Sequence, residues 1–154
     1  MKKVIFVSSS GGHLSEILKL EPLFKEYNYL LVTENTVVTE NLKDSYNIDF
    51  LKYGPNKNKI KYVGVFIYNI IKSIKILLKF KPDTVISTGA QVGGIMCFFA
   101  KVFNKKVIYI ESLAKVNSLS TTGKMVYKFA DKFYVQWKCL EEKYPKAEYL
   151  GRLM

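Results

Sequence analysis

The chain has 154 residues, of which 49% are hydrophobic, and its 24 lysines and arginines against 13 acidic residues give a formal net charge of +11. This length fits one domain with a sizeable core and leaves no room for a second of similar size. The apolar fraction excludes a disordered or fibrous protein. Residues 51–110 carry eleven lysines and one acid, and such an asymmetry predicts an anionic partner, either a membrane surface or nucleic acid.

Cysteine use and hydropathy narrow the class of protein further. Cys97 and Cys139 lie far apart, and neither has a second cysteine or a histidine at metal-ligand spacing. The sequence therefore predicts neither a disulfide framework nor a zinc site, and no cofactor is expected. The apolar run after Lys2 and Lys3 is too short for a signal peptide. Since the sequence contains no uninterrupted run of 18 apolar residues, it predicts no membrane span. These features predict a cytoplasmic protein.

Strand-like and helix-like segments alternate along the chain. Continuous apolar runs, typical of strands covered on both faces, predict strands over residues 3–8, 29–33, 48–53, 84–87, 106–110 and 132–136. Helices are predicted between them, over residues 14–25, 37–45, 59–80, 92–103 and 119–130. Strand followed by helix, repeated, indicates an α/β fold with a doubly wound parallel sheet, as one Rossmann-like domain over residues 1–154.

Two loops rich in glycine and hydroxyl residues follow the first and fourth predicted strands. The first reads Ser-Ser-Ser-Gly-Gly-His over residues 8–13, and the second reads Ser-Thr-Gly-Ala-Gln-Val-Gly-Gly over residues 87–94. In open parallel sheets ligands bind beyond the carboxyl ends of the strands, and glycines let backbone N–H groups approach a phosphate. The two loops predict a diphosphate site, although glycines at such places also serve tight turns and close helix packing.

A dinucleotide site is the alternative at this edge of the sheet. Glu34 ends the second predicted strand, about where an acid that binds a ribose would stand. Gly11, Gly12 and His13 do not supply the G-x-G-x-x-G spacing of dinucleotide-binding loops. The pattern therefore favours the diphosphate over NAD.

Two ionisable residues are predicted at the same edge. His13, the only histidine, stands where the first loop enters its helix, and a neutral imidazole can take a proton from a hydroxyl nucleophile near neutral pH. Glu111 follows the fifth predicted strand. Each has a structural alternative: His13 as a helix-start residue that bonds local backbone, and Glu111 as a loop or helix-cap carboxylate.

The predicted helix over residues 59–80 is unusually apolar and carries its lysines on one side. At 100° per residue a single narrow stripe contains Lys61, Lys72, Lys75 and Lys79. A helix at a membrane interface, with side chains such as Phe66 in the acyl boundary and lysines toward anionic headgroups, accounts for both features. The alternatives are a helix that packs on the sheet with a solvated lysine face and a helix that docks another protein.

Three stretches of the sequence resemble a known family. They are SSSGGHLSEILKL from residue 8, DTVISTGA from residue 83 and KVIYIESLAKVNSLSTTGKMVYKFADKFYVQW from residue 106. They are similar to bacterial capsular and exopolysaccharide glycosyltransferase subunits of the PssD or CpsF kind, relatives of the membrane-recruiting subunit of the two-component UDP-GlcNAc transferase in the dolichol pathway. The resemblance covers almost the whole chain, and the block from ESLAKV to VQW is its most distinctive part.

The resemblance implies the fold of the N-terminal, acceptor-binding half of a GT-B glycosyltransferase such as MurG, with a separate catalytic subunit binding the UDP-sugar. It implies one subunit of a heteromeric transferase that adds a sugar to a polyprenyl-diphosphate-linked saccharide in capsular or exopolysaccharide biosynthesis. The chain would be peripheral at the cytoplasmic face of the plasma membrane, with little or no activity alone. The alternative is a non-catalytic recruiter that anchors and activates the catalytic chain.

The resemblance also assigns residues to roles. The catalytic candidates are His13, near the reacting hydroxyl, and Glu111, beside the cleft. The residues expected to bind the acceptor diphosphate are Ser10, Gly11, Gly12, Ser87, Thr88, Gly89, Ser112 and Lys115, the last standing where we expect arginine. The residues expected at the membrane are Lys61, Phe66, Lys72, Lys75 and Lys79. No metal is expected, and no nucleic acid is expected as a partner because no recognised nucleic-acid module is present.

Overall fold

Seven parallel strands form one sheet in the computed structural model, which describes residues 1–54 and 59–153. The strands are β1 (Lys3–Ser8), β2 (Asn28–Asn35), β3 (Ile48–Lys52), β4 (Thr84–Gly89), β5 (Lys106–Ile110), β6 (Lys132–Val135) and β7 (Ala147–Tyr149). Their order across the sheet is β3-β2-β1-β4-β5-β6-β7, and each adjacent pair is parallel. The α/β fold with a parallel sheet predicted from the sequence is confirmed.

Helices cover both faces of this sheet. They are α1 (Gly12–Leu18), α2 (Glu21–Phe24), α3 (Val37–Glu40), α4 (Lys59–Phe80), α5 (Gln91–Val102), α6 (Thr121–Val126) and α7 (Lys138–Lys143). Successive residues of a strand point to opposite faces, so Val4 and Phe6 of β1 pack with α1 and α2. Ile5 and Val7 of the same strand belong to the core under α4 to α7. The sheet is therefore buried on both sides, as its continuous apolar strands predict.

Several predicted boundaries differ from the observed ones. The helix predicted over residues 14–25 is two helices, because Pro22 lies in the first turn of α2, where its missing N–H is tolerated. The helix predicted over residues 119–130 is shorter, since α6 begins after Ser120, whose hydroxyl accepts a hydrogen bond from the Gly123 N–H. The sequence reading missed α7 and β7, which have six and three residues and are too short for a clear periodicity.

Helix α4 has the predicted bounds, and a buried amide fixes it to the edge of the sheet. Asn69 accepts a hydrogen bond from the Lys52 N–H at 2.8 Å and donates one to the Lys52 carbonyl at 2.9 Å. The opposite side of the helix is exposed and apolar. Its exposed side chains include Ile60, Val63, Ile67, Ile71 and Leu78. Among residues 1–54 and 59–153, no helix combines the length and the hydropathy that crossing a membrane requires.

The strand order places a topological switch between β1 and β4. From these two central strands the chain winds outward in opposite directions, to β2 and β3 on one side and to β5, β6 and β7 on the other. The loops after β1 and β4 therefore lie next to each other, in the crevice where open α/β sheets bind ligands. These are the two loops that the sequence singled out.

Candidate functional site

Two hydrogen bonds join His13, in the first turn of α1, to Thr88, near the end of β4. The Nδ1 atom of His13 lies 2.8 Å from the carbonyl oxygen of Thr88, and the Thr88 hydroxyl donates to the His13 carbonyl at 2.7 Å. A carbonyl oxygen can only accept, so Nδ1 carries a proton, and whenever the ring is neutral Nε2 is the nitrogen with the lone pair. The ring is thus held in the tautomer that a general base requires.

Gly89 makes room for this imidazole. Its φ is +98°, and a Cβ there would lie 3.2 Å from both Cε1 and Nδ1 of His13 and 2.9 Å from the hydroxyl of Tyr109. A side chain at this position would be strained in its backbone and would displace the ring. The predicted importance of Gly89 therefore rests on the space that it leaves for His13.

Ser87 and Thr88 are fully buried beneath the site. The Ser87 hydroxyl accepts a hydrogen bond from the Gly89 N–H at 3.0 Å, and a Cβ at Gly93 would lie 2.2 Å from the same hydroxyl oxygen. Their side chains hold the second loop against α5 and His13. These contacts position the loop, and the expected role of the two residues as diphosphate ligands stays a prediction.

Glu34 holds the first loop from the neighbouring strand. Its Oε2 atom accepts hydrogen bonds from both the N–H and the hydroxyl of Ser10, at 2.9 Å and 3.0 Å, and the residue is only 8% exposed. Ser10 thus directs both of its donors into the protein, and its expected role as a diphosphate ligand stays a prediction. The same contacts occupy the carboxylate that a dinucleotide would need for its ribose, so they disfavour the NAD alternative.

Gly11 and Gly12 form the open part of the first loop. Both are exposed, and a Cβ at either position would meet no atom within 4 Å. Gly11 has a φ of +79°, which glycine adopts without strain. The backbone of these two residues therefore borders unoccupied space beside His13, where a ligand could approach it closely.

Glu111 is fully buried and ties the loop after β5 to α6. Its Oε1 atom accepts from the Ser112 N–H at 2.9 Å, and its Oε2 atom accepts from the Ser120 N–H at 2.9 Å. The Ser120 hydroxyl lies 3.0 Å and 3.1 Å from the two oxygens, and the Gln136 amide donates to the Glu111 carbonyl at 3.0 Å. These are the contacts of a loop-positioning carboxylate, and the catalytic role of Glu111 stays a prediction.

Glu16 of α1 holds the start of the same loop. Its Oε1 atom accepts from the Ser112 hydroxyl at 3.1 Å and from the Leu113 N–H at 2.8 Å. The sequence reading missed this residue, and an acid among the leucines of a first helix gives no signal for a contact 96 positions away. Ser112, expected to bind the diphosphate, is 7% exposed, and its hydroxyl is used within the protein.

Lys115 is exposed in the loop after β5. Among residues 1–54 and 59–153, no hydrogen bond or ion pair involves its ammonium group. Over the same residues no group of three histidine, cysteine or acidic side chains could hold a metal. Of the predicted site residues, Gly11, Gly12 and Lys115 are thus exposed and His13 is partly exposed.

Tyr109 is a further buried residue that the sequence reading did not single out. Its hydroxyl has no hydrogen-bond partner among the described residues and lies beside Gly89. Burial, and then the nearby Glu111 carboxylate, raise the pKa of Tyr109 above its ordinary value. The phenol therefore stays neutral and packs beside Gly89, next to the His13 ring.

The lysines of α4 differ in what they contact. Lys72 pairs with Asp49 at 2.9 Å and donates to the Phe50 carbonyl, so it fastens the helix to β3. Its expected place at the membrane stays a prediction. Lys75 and Lys79 are exposed and have no ion pair among the described residues. Lys61 is exposed too, and Phe66 is 36% exposed.

Comparison with solved structures shows the fold. MurG of Acinetobacter baumannii superposes with a TM-score of 0.74 and 16% sequence identity over 90% of this chain and 43% of the MurG chain. A UDP-N-acetylglucosamine 2-epimerase from Rickettsia bellii gives a TM-score of 0.72 at 15% identity, over 100% of this chain and 46% of the epimerase. The chain thus spans less than half of either protein, and corresponds in fold to one of their domains.

Sequence comparison is more specific. The human protein "UDP-N-acetylglucosamine transferase subunit ALG14" is 30% identical over 98% of this chain and 82% of its own length. The protein of the same name from Yarrowia lipolytica is 29% identical over 99% of this chain and 81% of its own length. A sequence profile described as "Oligosaccharide biosynthesis protein Alg14 like" matches residues 56–153. The chain therefore belongs to the Alg14-like family of oligosaccharide biosynthesis proteins.

Proposed function

We propose that the chain is the acceptor-binding subunit of a two-chain glycosyltransferase, which moves a sugar from a UDP-sugar to a polyprenyl-diphosphate-linked saccharide. A separate catalytic subunit binds the UDP-sugar. The names of the relatives, subunits of a UDP-N-acetylglucosamine transferase, support this assignment. The observation that carries it is the fixed tautomer of His13, whose Nδ1 donates to Thr88 beside an open glycine turn.

In this proposal Nε2 of His13 accepts the proton of the acceptor hydroxyl. The hydroxyl oxygen forms a bond to the anomeric carbon of the donor sugar while the bond from that carbon to the diphosphate of UDP breaks, so UDP leaves with the electron pair. The Thr88 carbonyl, 2.8 Å from Nδ1, stabilises the imidazolium that forms. The backbone at Gly11 and Gly12, with the Lys115 ammonium, contacts the acceptor diphosphate.

A transferase assay tests this function. The chain is incubated with polyprenyl-diphosphate glucose in membranes and a radiolabelled UDP-sugar, both alone and with the candidate catalytic subunit. We expect product only, or far more, with both chains present. Product from this chain alone would contradict the division of labour, and no effect of this chain on product formation would contradict the acceptor role.

We further propose that the acceptor belongs to capsular or exopolysaccharide biosynthesis, as in subunits of the PssD or CpsF kind. The block from Glu111 to Trp137 supports this through its likeness to those subunits. The same assay with polyprenyl-diphosphate glucose and polyprenyl-diphosphate N-acetylglucosamine separates the two kinds of acceptor. Transfer to the N-acetylglucosamine acceptor alone would contradict the polysaccharide assignment.

We propose that α4 places the subunit on the cytoplasmic face of the plasma membrane as a peripheral protein. Its exposed apolar side chains, such as Ile67 and Ile71, support insertion into the acyl boundary. A cavity of about 770 Å³ at the same helix is lined by Lys75 and Lys79 together with Ile71 and Phe80, and also by Lys72 and Asp49, which pair with each other. Cations beside an apolar surface suit an anionic headgroup and its acyl chains.

Charge reversal on α4 tests the membrane proposal. Replacing both Lys75 and Lys79 by glutamate should weaken binding to vesicles that contain phosphatidylserine by at least about tenfold at low salt, because each cation near an anionic surface contributes about 1 kcal/mol. The matched control reverses Lys19 and Lys25, which are exposed near α1 and α2 on the other face of the sheet. Co-sedimentation with the vesicles measures the binding of both variants. If both lose the same amount of vesicle binding, α4 is not a specific membrane-binding face.

A further inference from the structure

A groove of about 810 Å³ lies at the carboxyl edge of the sheet, beside the first glycine-rich loop. It is bordered by α1, by α3 and by the segment that follows β3. The lining residues that matter here are Ser10, Gly11, Leu14, Val37, Val38 and Tyr53. Among the residues that the structure describes, none that lines it is charged, although 24% of the chain is charged. The groove thus has the volume and the apolar character of a small-molecule site.

Two solvent-exposed valines lie at the rim of this groove. Val37 is 90% exposed and Val38 is 82% exposed. They occupy the first turn of α3, where the N–H of Thr39 donates to the Thr36 hydroxyl and the N–H of Thr36 donates to the Thr39 hydroxyl. The Thr39 hydroxyl also donates to the Glu34 carbonyl at 2.7 Å. A hydrogen-bonded turn therefore holds both apolar side chains at the edge of a concave surface whose described residues are uncharged.

The chemistry of the lining decides what fits. The described lining of the groove offers an anionic headgroup or a charged peptide no charged side chain, so burying its charge there would be unfavourable. A neutral hydrocarbon chain finds matching surface. Ser10 and Gly11 belong both to the groove and to the loop that carries the open glycine turn, so an apolar ligand in the groove can carry a polar head at that turn.

The other end of the groove leads toward α4. Tyr53 lines the groove, and the next residue, Gly54, packs on that helix, since a Cβ there would lie 3.3 Å from Cγ1 of Val65 and 3.6 Å from Cδ2 of Tyr62. The groove therefore connects the glycine turn with the beginning of the helix that we place on the membrane.

We propose that this groove binds the first isoprene units of the acceptor lipid, between its diphosphate at Gly11 and Gly12 and the bilayer at α4. The proposal rests on the acceptor-binding function proposed above and adds a subsite for the hydrocarbon. The groove selects for a lipid-linked acceptor because a soluble sugar diphosphate leaves it empty.

Calorimetric binding to the full chain tests the groove with three probes: farnesyl diphosphate, farnesol and inorganic diphosphate. We expect farnesyl diphosphate to bind at least about tenfold more tightly than inorganic diphosphate, because it buries apolar surface. The double variant Val37→Ser with Val38→Ser should lose most of this gain and keep its affinity for inorganic diphosphate. Both valines are exposed, so the variant should keep the wild-type melting temperature.

The matched control is Val102→Ser. Val102 belongs to α5, is 58% exposed and does not line the groove, so this variant should still bind farnesyl diphosphate more tightly than inorganic diphosphate by the wild-type factor. Equal affinity for farnesyl diphosphate and inorganic diphosphate would overturn the groove and leave the proposed diphosphate site intact. If the double variant keeps the wild-type preference for farnesyl diphosphate over inorganic diphosphate, the proposed lipid site in the groove is overturned as well. Valine-dependent binding of farnesol, with no contribution from the diphosphate, would keep the groove and contradict the acceptor site. Binding of none of the probes would overturn both.

Discussion

Replacement of His13 by alanine should lower the turnover of the two-chain transferase by a factor of about 10² to 10⁴, the usual contribution of a general base. The physical reason is the hydrogen bond from Nδ1 to the Thr88 carbonyl, which reserves Nε2 for the acceptor proton. The measurement is kcat of the reconstituted complex with saturating acceptor and donor. Size-exclusion chromatography of the complex checks that the variant still assembles.

Thr88→Val provides the matched control for His13. It removes the hydroxyl that donates to the His13 carbonyl but keeps the backbone carbonyl that holds Nδ1. We expect a smaller loss of turnover than with His13→Ala. If His13→Ala assembles and turns over at the wild-type rate, the chain acts as a recruiter of the catalytic subunit and supplies no catalytic group.

Gly123→Ala should destabilise the chain by about 3 kcal/mol, because it combines overpacking with disruption of a buried hydrogen-bonded carboxylate. A Cβ at Gly123 would lie 1.9 Å from Oε2 of Glu111 and 2.9 Å from the Ser120 hydroxyl oxygen. Glu111 cannot move aside without releasing the N–H groups of Ser112 and Ser120. Urea denaturation measures the change in the free energy of unfolding.

Gly64→Ala is the control for this variant. Gly64 lies in α4, is exposed, and a Cβ there meets no atom within 4 Å. The higher helix propensity of alanine should therefore stabilise the chain by about 0.5–1 kcal/mol. Similar effects of the two substitutions would contradict the close contact between Gly123 and Glu111.

The fold was predictable from the sequence because its signals are local. The apolar strands and the long helix α4 are visible as runs and periodicities within single segments, and the structure keeps their order and nearly all of their places. The errors in the predicted elements occur at very short elements and at a proline that ends a helix. Pro22 divides a predicted helix in two, and the three residues of β7 become a strand only because β6 is there to pair with them.

The candidate site was predictable in place but less so in detail. Both glycine-rich loops lie at the carboxyl edge of the sheet, as predicted, since all strands of a parallel sheet end at the same edge. The strand order that makes them neighbours is seen only in the structure. The roles of individual residues depend on partners far along the chain. Ser10 bonds Glu34, 24 positions away, and Ser112 bonds Glu16, 96 positions away. A pattern of residue types shows that such side chains are polar and close to the site. It does not show that they are already hydrogen-bonded to other residues of the protein.

The central position of β1 has a consequence for how the chain is made. One edge of β1 pairs with β2 from Asn28 onward, but its other edge pairs with β4, which begins at Thr84. During synthesis the apolar strand Lys3–Ser8 therefore waits with an open edge until the whole of α4 and then β4 have been added. Such long-range parallel pairing is slow, and an unpaired apolar edge invites association with other chains. The nascent chain is thus most prone to aggregation while its longest helix, α4, leaves the ribosome.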